Sequence, residues 1–454
     1  MRSIRDLYEK AYFKVDIGGW TSNEIKVSQG VLQGDKLSPL LFALFISDIT
    51  EYFERNGAKG LSISSDREIN LLLYADDLVI LAWSWSDAQK KLNILEKYCS
   101  ENLLEVNISK TMVVPFHRGV TFASSAKFRK AADTLHCRGM MAIPQVRKLI
   151  YMGKPETWES RCRLFDALVR SIVLYCCEIW ALNYVEKIER VQLYFFKSLF
   201  LLSRSTPDYY VRLEMGRNHI QVQVFKQALS WWLHILEMEE NRLPNICYKR
   251  LCEFSYNNNI PFNWVDSLKN FLYTIGAMDI WDSQNSNLIK SEMNNLVIKM
   301  NNHIDSRDIE KVINSQYNPL YRVICNYNLK NPILQIKCNL TFLQFVIQLR
   351  LAGEKYIRFY IKDKKYVFNS ADVCPLCMRE TDNLIHFYLC CRLYADLRTK
   401  YINKHIGDHL QFPPEVKWEK LLMVESFQKI KDLFIYTKDC LKLRNDYLNQ
   451  QSIV

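Results

Sequence analysis

Two groups of residues in this sequence could do chemistry. The first is Tyr74-Ala75-Asp76-Asp77, in which adjacent carboxylates lie between the apolar runs Leu71-Leu72-Leu73 and Leu78-Val79-Ile80-Leu81, with no basic residue close by. Carboxylate oxygens suit a hard divalent cation such as Mg²⁺. Two such ions about 4 Å apart can activate an attacking hydroxyl oxygen and stabilise a leaving pyrophosphate. Asp76 is the leading ligand and Asp77 the second, although an ordinary acidic turn would use the same residues. The other group is Cys374, Cys377, His386 and Cys391, spaced C-x₂-C-x₈-H-x₄-C. Three thiolates and one imidazole satisfy tetrahedral Zn²⁺, and a closed shell of this kind is structural or nucleic-acid binding rather than catalytic. Cys390 competes with Cys391 for the fourth position.

Each group needs elements to hold it. The two apolar runs around the acidic pair read as buried strands of a hairpin with the carboxylates at its tip. Upstream, Gly30-Val31-Leu32-Gln33-Gly34-Asp35-Lys36-Leu37-Ser38-Pro39 is a polar loop leading into a helix that Ser38 and Pro39 can start. Downstream lies Asn107-Ile108-Ser109-Lys110-Thr111. From Lys127 to about Pro332 the signal is helical. Ile188, Val191, Phe195, Leu199 and Leu202 recur at helical spacing opposite Lys187, Glu189 and Arg190. The amide-rich stretch from Gln284 to Asn302 has no clear periodicity.

In order and spacing, the loop, the Tyr-Ala-Asp-Asp turn and the Asn-x-x-Lys-Thr segment resemble reverse transcriptases of non-LTR, LINE-type (jockey-like) retrotransposons, from the palm onward. The resemblance continues through Tyr175-Cys176-Cys177-Glu178-Ile179-Trp180, Ser205-Thr206-Pro207 and Arg212-Leu213-Glu214-Met215-Gly216, and it favours Cys391 as the fourth zinc ligand. It implies an RNA-directed DNA polymerase that adds dNTPs to a DNA primer on an RNA template by a two-metal mechanism. Asp76 and Asp77 would hold Mg²⁺, and Lys110 would lie near the triphosphate as a proton donor. Tyr74 and Ala75 would border the nucleotide, while Gln33, Gly34 and Ser38 would help to place template base and nucleotide. The fold implied is α+β: a partial right-hand palm with a small antiparallel sheet (1–115), a helical thumb and connector (116–335), a zinc-knuckle region (336–400) and a helical tail (401–454).

Two departures from the family pattern stand out. The family's further catalytic Asp lies on a strand well upstream of the Gln-Gly loop, and neither Asp6, in a charged stretch, nor Asp16, beside Gly18 and Gly19 in a hairpin-like turn, resembles it. The usual Tyr-Leu-Gly hairpin after Lys110 is also replaced by Val113 to Val120. Both gaps suggest a shortened copy, so a nucleic-acid-binding remnant that keeps the connector and knuckle but no longer polymerises is the alternative.

The whole chain has 454 residues, 49% of them hydrophobic, and a net charge of +11, which suits a folded protein drawn to a polyanion. Arg161, Arg163, Arg170, Lys187, Arg190 and Lys197 could follow phosphates, as could Lys362, Lys364, Lys365, Arg392, Arg398 and Lys400 around the knuckle. The fourteen Cys show no disulfide rhythm, and no apolar run approaches the roughly 20 residues of a membrane span. These features predict an intracellular protein of the nucleus or cytoplasm, neither secreted nor membrane-bound.

Overall fold

The computed structural model describes residues 12–26, 30–31, 36–64, 67–111, 128–256, 263–325, 331–353, 356–361, 364–407 and 411–451. Its contacts divide the chain into two compact units, Met1–Val114 and Pro115–Val454.

Among the described residues, the first unit is built from short antiparallel pairings and three helices, Ser38–Phe45, Ile49–Arg55 and Trp85–Glu101. Asp16–Ile17 pairs with Trp20–Thr21 across Gly18 and Gly19, both at positive φ, so Asp16 does flank a tight hairpin turn. Leu71–Tyr74 pairs with Asp77–Ile80, and this hairpin packs one face on a small core of Ile49, Phe53, Ala58, Ile94, Leu95 and Tyr98. The adjoining helix begins where Ser84 accepts from the Asp87 N–H while the Asp87 carboxylate accepts from the Trp83 N–H. This exchange satisfies donors that a helix start leaves open. Lys91, fully buried on that helix, donates to the carbonyls of Lys59 and Leu81 at 2.6 and 2.7 Å and pairs with Asp87 at 3.1 Å. The strand leaving the acidic turn is thereby fastened to the helix.

Among the described residues, the second unit is helical apart from the hairpin Tyr356–Ile361 with Lys364–Asn369 and an isolated bridge between Val373 and Thr381, and a core runs through it from Ala132 to Leu441. The expected periodic residues Ile188, Val191, Phe195 and Leu199 are buried on the helix Val185–Leu199. That helix meets the helix Arg129–Gly153 at Gly139, where a Cβ would come within 2.5 Å of Val173 and 3.1 Å of Val191, so glycine is required by close approach. Trp232 is buried and stacks on Trp281 with ring centroids 5.2 Å apart.

The amide-rich stretch, which shows no clear periodicity within the helical part of the sequence, forms one 28-residue helix, Ser286–Ile313. Its inward positions Ile289, Leu296, Met300, Ile304 and Val312 share their stripe with Asp308, and polar residues fill the gaps, so the apolar signal is diluted. Among the described residues, no helix is long and apolar enough to cross a membrane.

Candidate active site and metal centre

The acidic turn is tighter and more open than its sequence suggests. Tyr74 and Asp77 are paired, so Ala75 and Asp76 alone make the turn, and Ala75 is held at φ +53. A left-handed conformation costs a non-glycine residue about 1 kcal/mol or more, and such outliers concentrate at functional sites. Asp76 and Asp77 are both exposed at the tip.

The expectation of two buried strands is corrected. Leu71 is buried, but Leu72 and Val79, paired on the opposite face, are 40% and 52% exposed, and Tyr74 on that face is 83% exposed. A two-stranded hairpin has only one covered side here, because strand alternation sends every second residue outward. Tyr74 is therefore not packed in a core as a strand aromatic commonly is.

Lys110 is exposed in a turn organised by Asn107. The Asn107 side-chain oxygen accepts from the Ser109 hydroxyl at 2.7 Å and the Lys110 N–H at 3.2 Å, while the Thr111 hydroxyl donates to the Asn107 carbonyl at 2.8 Å. Asn is therefore the residue that shapes the Asn-x-x-Lys-Thr segment. Ser38 opens its helix with Pro39 next to it and is buried. Gln33 and Gly34 lie outside the described residues.

In the second unit, the ligand atoms of Cys374, Cys377, His386 and Cys391 all lie within 4.8 Å of one another. Two chain reversals bring them together. Met378 at φ +52 turns the chain after Cys377 and donates its N–H to the Cys374 carbonyl, and the Cys391 N–H donates to the His386 carbonyl at 2.9 Å. His386 Nε2 lies 3.3 Å from Cys377 Sγ, and its Nδ1 is 2.7 Å from the Glu380 carboxylate. A carboxylate on one ring nitrogen orients the other toward a metal, a role for Glu380 that its place inside the x₈ spacer did not reveal. Burial raises the Cys391 thiol to about 12. Burial also pulls Cys377 upward, but the backbone N–H groups of Arg379 and Glu380 hold it below the usual thiol range. Cys390 stands outside the cluster, half-buried.

The surroundings of this cluster are fastened from the tail. Arg444 makes a two-pronged ion pair with Asp382 at 2.6 and 2.7 Å, and Arg398 donates to the carbonyls of Tyr388 and Cys391. Arg398 is thus a structural clamp rather than a free cation, whereas Lys364, Lys365, Arg392 and Lys400 are exposed and Lys362 lies outside the described residues.

Several connector cations are likewise committed. Arg161 is buried and donates to the Cys338 carbonyl, which corrects its expected position at a phosphate-facing surface. Arg163, Arg170, Lys187 and Lys197 pair with Glu159, Asp166, Asp133 and Asp208. The Arg212-to-Gly216 motif is an internal fastener. Arg212 grips Asp308 at 2.6 and 2.7 Å and Glu189 at 3.3 Å, and Glu214 accepts from Arg350 at 2.6 Å and from the Tyr321 hydroxyl at 2.9 Å.

Comparison with known proteins bears on the first of these sites. Residues 2–153 match the family described as reverse transcriptase (RNA-dependent DNA polymerase). Over 71 residues the chain is 37% identical to a Pol polyprotein from a type-1 R2 retrotransposable element of Popillia japonica, and over 113 residues 32% identical to one from a type-2 R2 element of Drosophila melanogaster. The chain carries a non-LTR reverse transcriptase domain.

The two alignments cover 16% and 24% of this chain but only 12% and 10% of the R2 polyproteins, so the chain spans about a tenth of those relatives. A longer match, 26% identical over 251 residues, is to a putative uncharacterized transposon-derived protein of Caenorhabditis elegans and covers 46% of this chain and 88% of that one. No solved structure matches. The reverse transcriptase match takes in the acidic hairpin and the Asn107 turn and runs on through the helix Arg129–Gly153, the opening helix of the second unit.

Proposed function

We propose that this reverse transcriptase segment extends a DNA primer with dNTPs on an RNA template. The observation that carries the reading is the pair Asp76 and Asp77, exposed on a turn whose Ala75 is strained, inside the matched residues 2–153. Their oxygens are the donor type that Mg²⁺ takes, and bound Mg²⁺ would supply the Lewis-acid charge for nucleotidyl transfer. Tyr74 and Ala75 would line the nucleotide beside them, and Gln33, Gly34 and Ser38 would position the base pair being formed. Lys110, exposed beside the Asn107 turn, would give a proton to the departing pyrophosphate.

Two adjacent acids at one turn cannot bridge two ions unaided, so a third carboxylate is needed. A neighbouring strand pairing with an edge of this hairpin would present such a carboxylate on the open face that carries Asp77. Primer extension by the full chain on an RNA template with Mg²⁺, beside Asp76→Asn, tests the reading. Extension that vanishes in the variant is the expected result, and extension that survives it would sink this assignment.

A second reading has an observation of its own. Among the described residues, only Cys374, Cys377, His386 and Cys391 converge as three or more metal-ligating groups, and Asp76 and Asp77 belong to no such cluster. On that reading the chain binds nucleic acid through its second unit without polymerising. In either case the donor set, three thiols and one imidazole, fits Zn²⁺, which would close the knuckle. Exposed Lys364, Lys365, Arg392 and Lys400 would offer its nucleic-acid contacts. Salt-sensitive RNA binding without extension would favour this second reading over the first.

A further inference from the structure

An open cleft of about 400 Å³ lies in the second unit, away from the cysteine cluster in sequence and built from four parts of the connector. Glu186 and Lys197 come from the helix Val185–Leu199, Arg204 to Pro207 from the loop after it, Asp208, Tyr209 and Arg212 from the helix Asp208–Met215, and Arg307 and Lys311 from the helix Ser286–Ile313. His219 completes the wall.

The acids of the cleft are already engaged. Asp208 accepts from Lys197 at 2.6 Å, and Glu186, with the His219 ring 3.6 Å away and the Arg307 and Arg212 charges nearby, has its carboxyl held down at about 2. Arg212 is turned inward onto Asp308 and Glu189. Among the described residues, Arg204, Arg307 and Lys311 make no ion pair, and Arg307 Nε is shielded from solvent without a hydrogen-bond partner. Arg307 and Lys311 are four residues apart and so share one helix face, while the intervening Asp308 is drawn to the other side by Arg212. Three cations without an ion pair, Arg204, Arg307 and Lys311, therefore line the cleft, whereas the hydroxyls of Ser205, Thr206 and Tyr209 are taken up by Ser203, Tyr317 and Ser315.

That combination is chemistry for a phosphate oxygen. Guanidinium groups present paired N–H donors to phosphate, and ammonium adds a point charge. The cleft is open to solvent and at the small end of ligand-pocket volumes, which suits one unit of a passing strand better than an enclosed small molecule.

We propose that this cleft takes a backbone phosphate of a nucleic-acid strand, with Arg204, Arg307 and Lys311 as its binding residues. The inference rests on the reading that the chain handles nucleic acid, but not on polymerisation. The full chain is titrated against fluorescein-labelled 20-nucleotide RNA and DNA by anisotropy over a range of salt, as wild type, as Arg204→Gln/Arg307→Gln/Lys311→Gln, and as Lys290→Gln/Lys299→Gln. The last pair removes charge from the same long helix outside the cleft.

The cleft variant should bind both strands at least about tenfold more weakly at low salt, with a salt slope shallower by about 0.7, the share of one phosphate contact on a single strand. Its thermal unfolding should match wild type, and the Lys290/Lys299 pair should bind within about twofold of it. Unchanged affinity and slope in a folded cleft variant would overturn the proposal alone. Equal weakening by the Lys290/Lys299 pair would overturn it in favour of diffuse charge, and displacement of the strands by a free dNTP at matched phosphate concentration would overturn it in favour of a nucleotide site. Failure of the wild type to bind either strand at low salt would overturn it together with the functional reading.

Discussion

The acidic hairpin and the cysteine cluster reach function by opposite routes. The hairpin tip is exposed, the core beside it has seven buried apolar residues among the described residues, and one face of its two strands lies open. The cysteine cluster is drawn inward, three of its four ligands are buried, and the tail helix Phe427–Gln451 pins its loop through Arg444 and Asp382. A carboxylate site that must admit a large substrate gains from openness, whereas a closed thiolate site gains from exclusion of water, since there the metal contributes to folding. Stability and activity should therefore be separable by mutation.

The largest effect tests that separation directly. Asp76→Asn should lower primer extension by about three orders of magnitude or more, yet its melting curve should overlay that of wild type, because the carboxylate is exposed; a clear fall in Tm would contradict the comparison. Cys391→Ser should do the reverse. Bound zinc measured by elemental analysis should fall from one per chain to none and the unfolding transition of the second unit should drop by several kcal/mol, whereas Cys390→Ser should keep its zinc.

A smaller effect sharpens the view of the connector as a fastened scaffold. Glu214→Ala strands the buried Arg350 guanidinium and should cost about 3–5 kcal/mol in denaturant unfolding, while Glu214→Ala/Arg350→Met should recover part of that loss. If the single variant cost less than about 1 kcal/mol, the pair would not be holding the unit together.

The smallest effect is a pH dependence. Lys429 is buried, donates to the carbonyls of Lys420 and Met423, and is lowered by that burial to about 8. Its folded value lies below the unfolded value of about 10.4, so the unfolded chain binds the extra proton between the two, and stability from this group rises with pH across that window. Comparison of wild type with Lys429→Met between pH 7 and 10.5 should isolate a rise of at most about 3 kcal/mol. Parallel curves would show that the ammonium carries no burial penalty.

Much of both sites was legible because their chemistry is local. The Tyr74-to-Asp77 turn, the helix start at Ser38 and Pro39, and the Asn107 turn are each set by residues a few positions apart, and the C-x₂-C-x₈-H-x₄-C spacing marks its ligands by type. Less legible were roles set by distant partners. Arg161 and Lys197 look alike in sequence as solvated cations, yet one donates to Cys338 in the interior and the other to Asp208. The buried face of the helix Ser286–Ile313 was hidden because its stripe includes Asp308, whose partner Arg212 is 96 residues away.

What the sequence alone determined is the set of reactive groups and their immediate geometry: a pair of carboxylates at a two-residue turn, a ligand quartet of fixed spacing, and helices wherever apolar residues recur in register. The tertiary structure decided which charges are spent and which are available. Ion pairing depends on who arrives from elsewhere in the chain, and a cation neutralised by a buried carboxylate and one left facing a cleft have the same letter. Arg212 and Arg307 lie near the same cleft, and only packing separates the fastener from the proposed phosphate ligand.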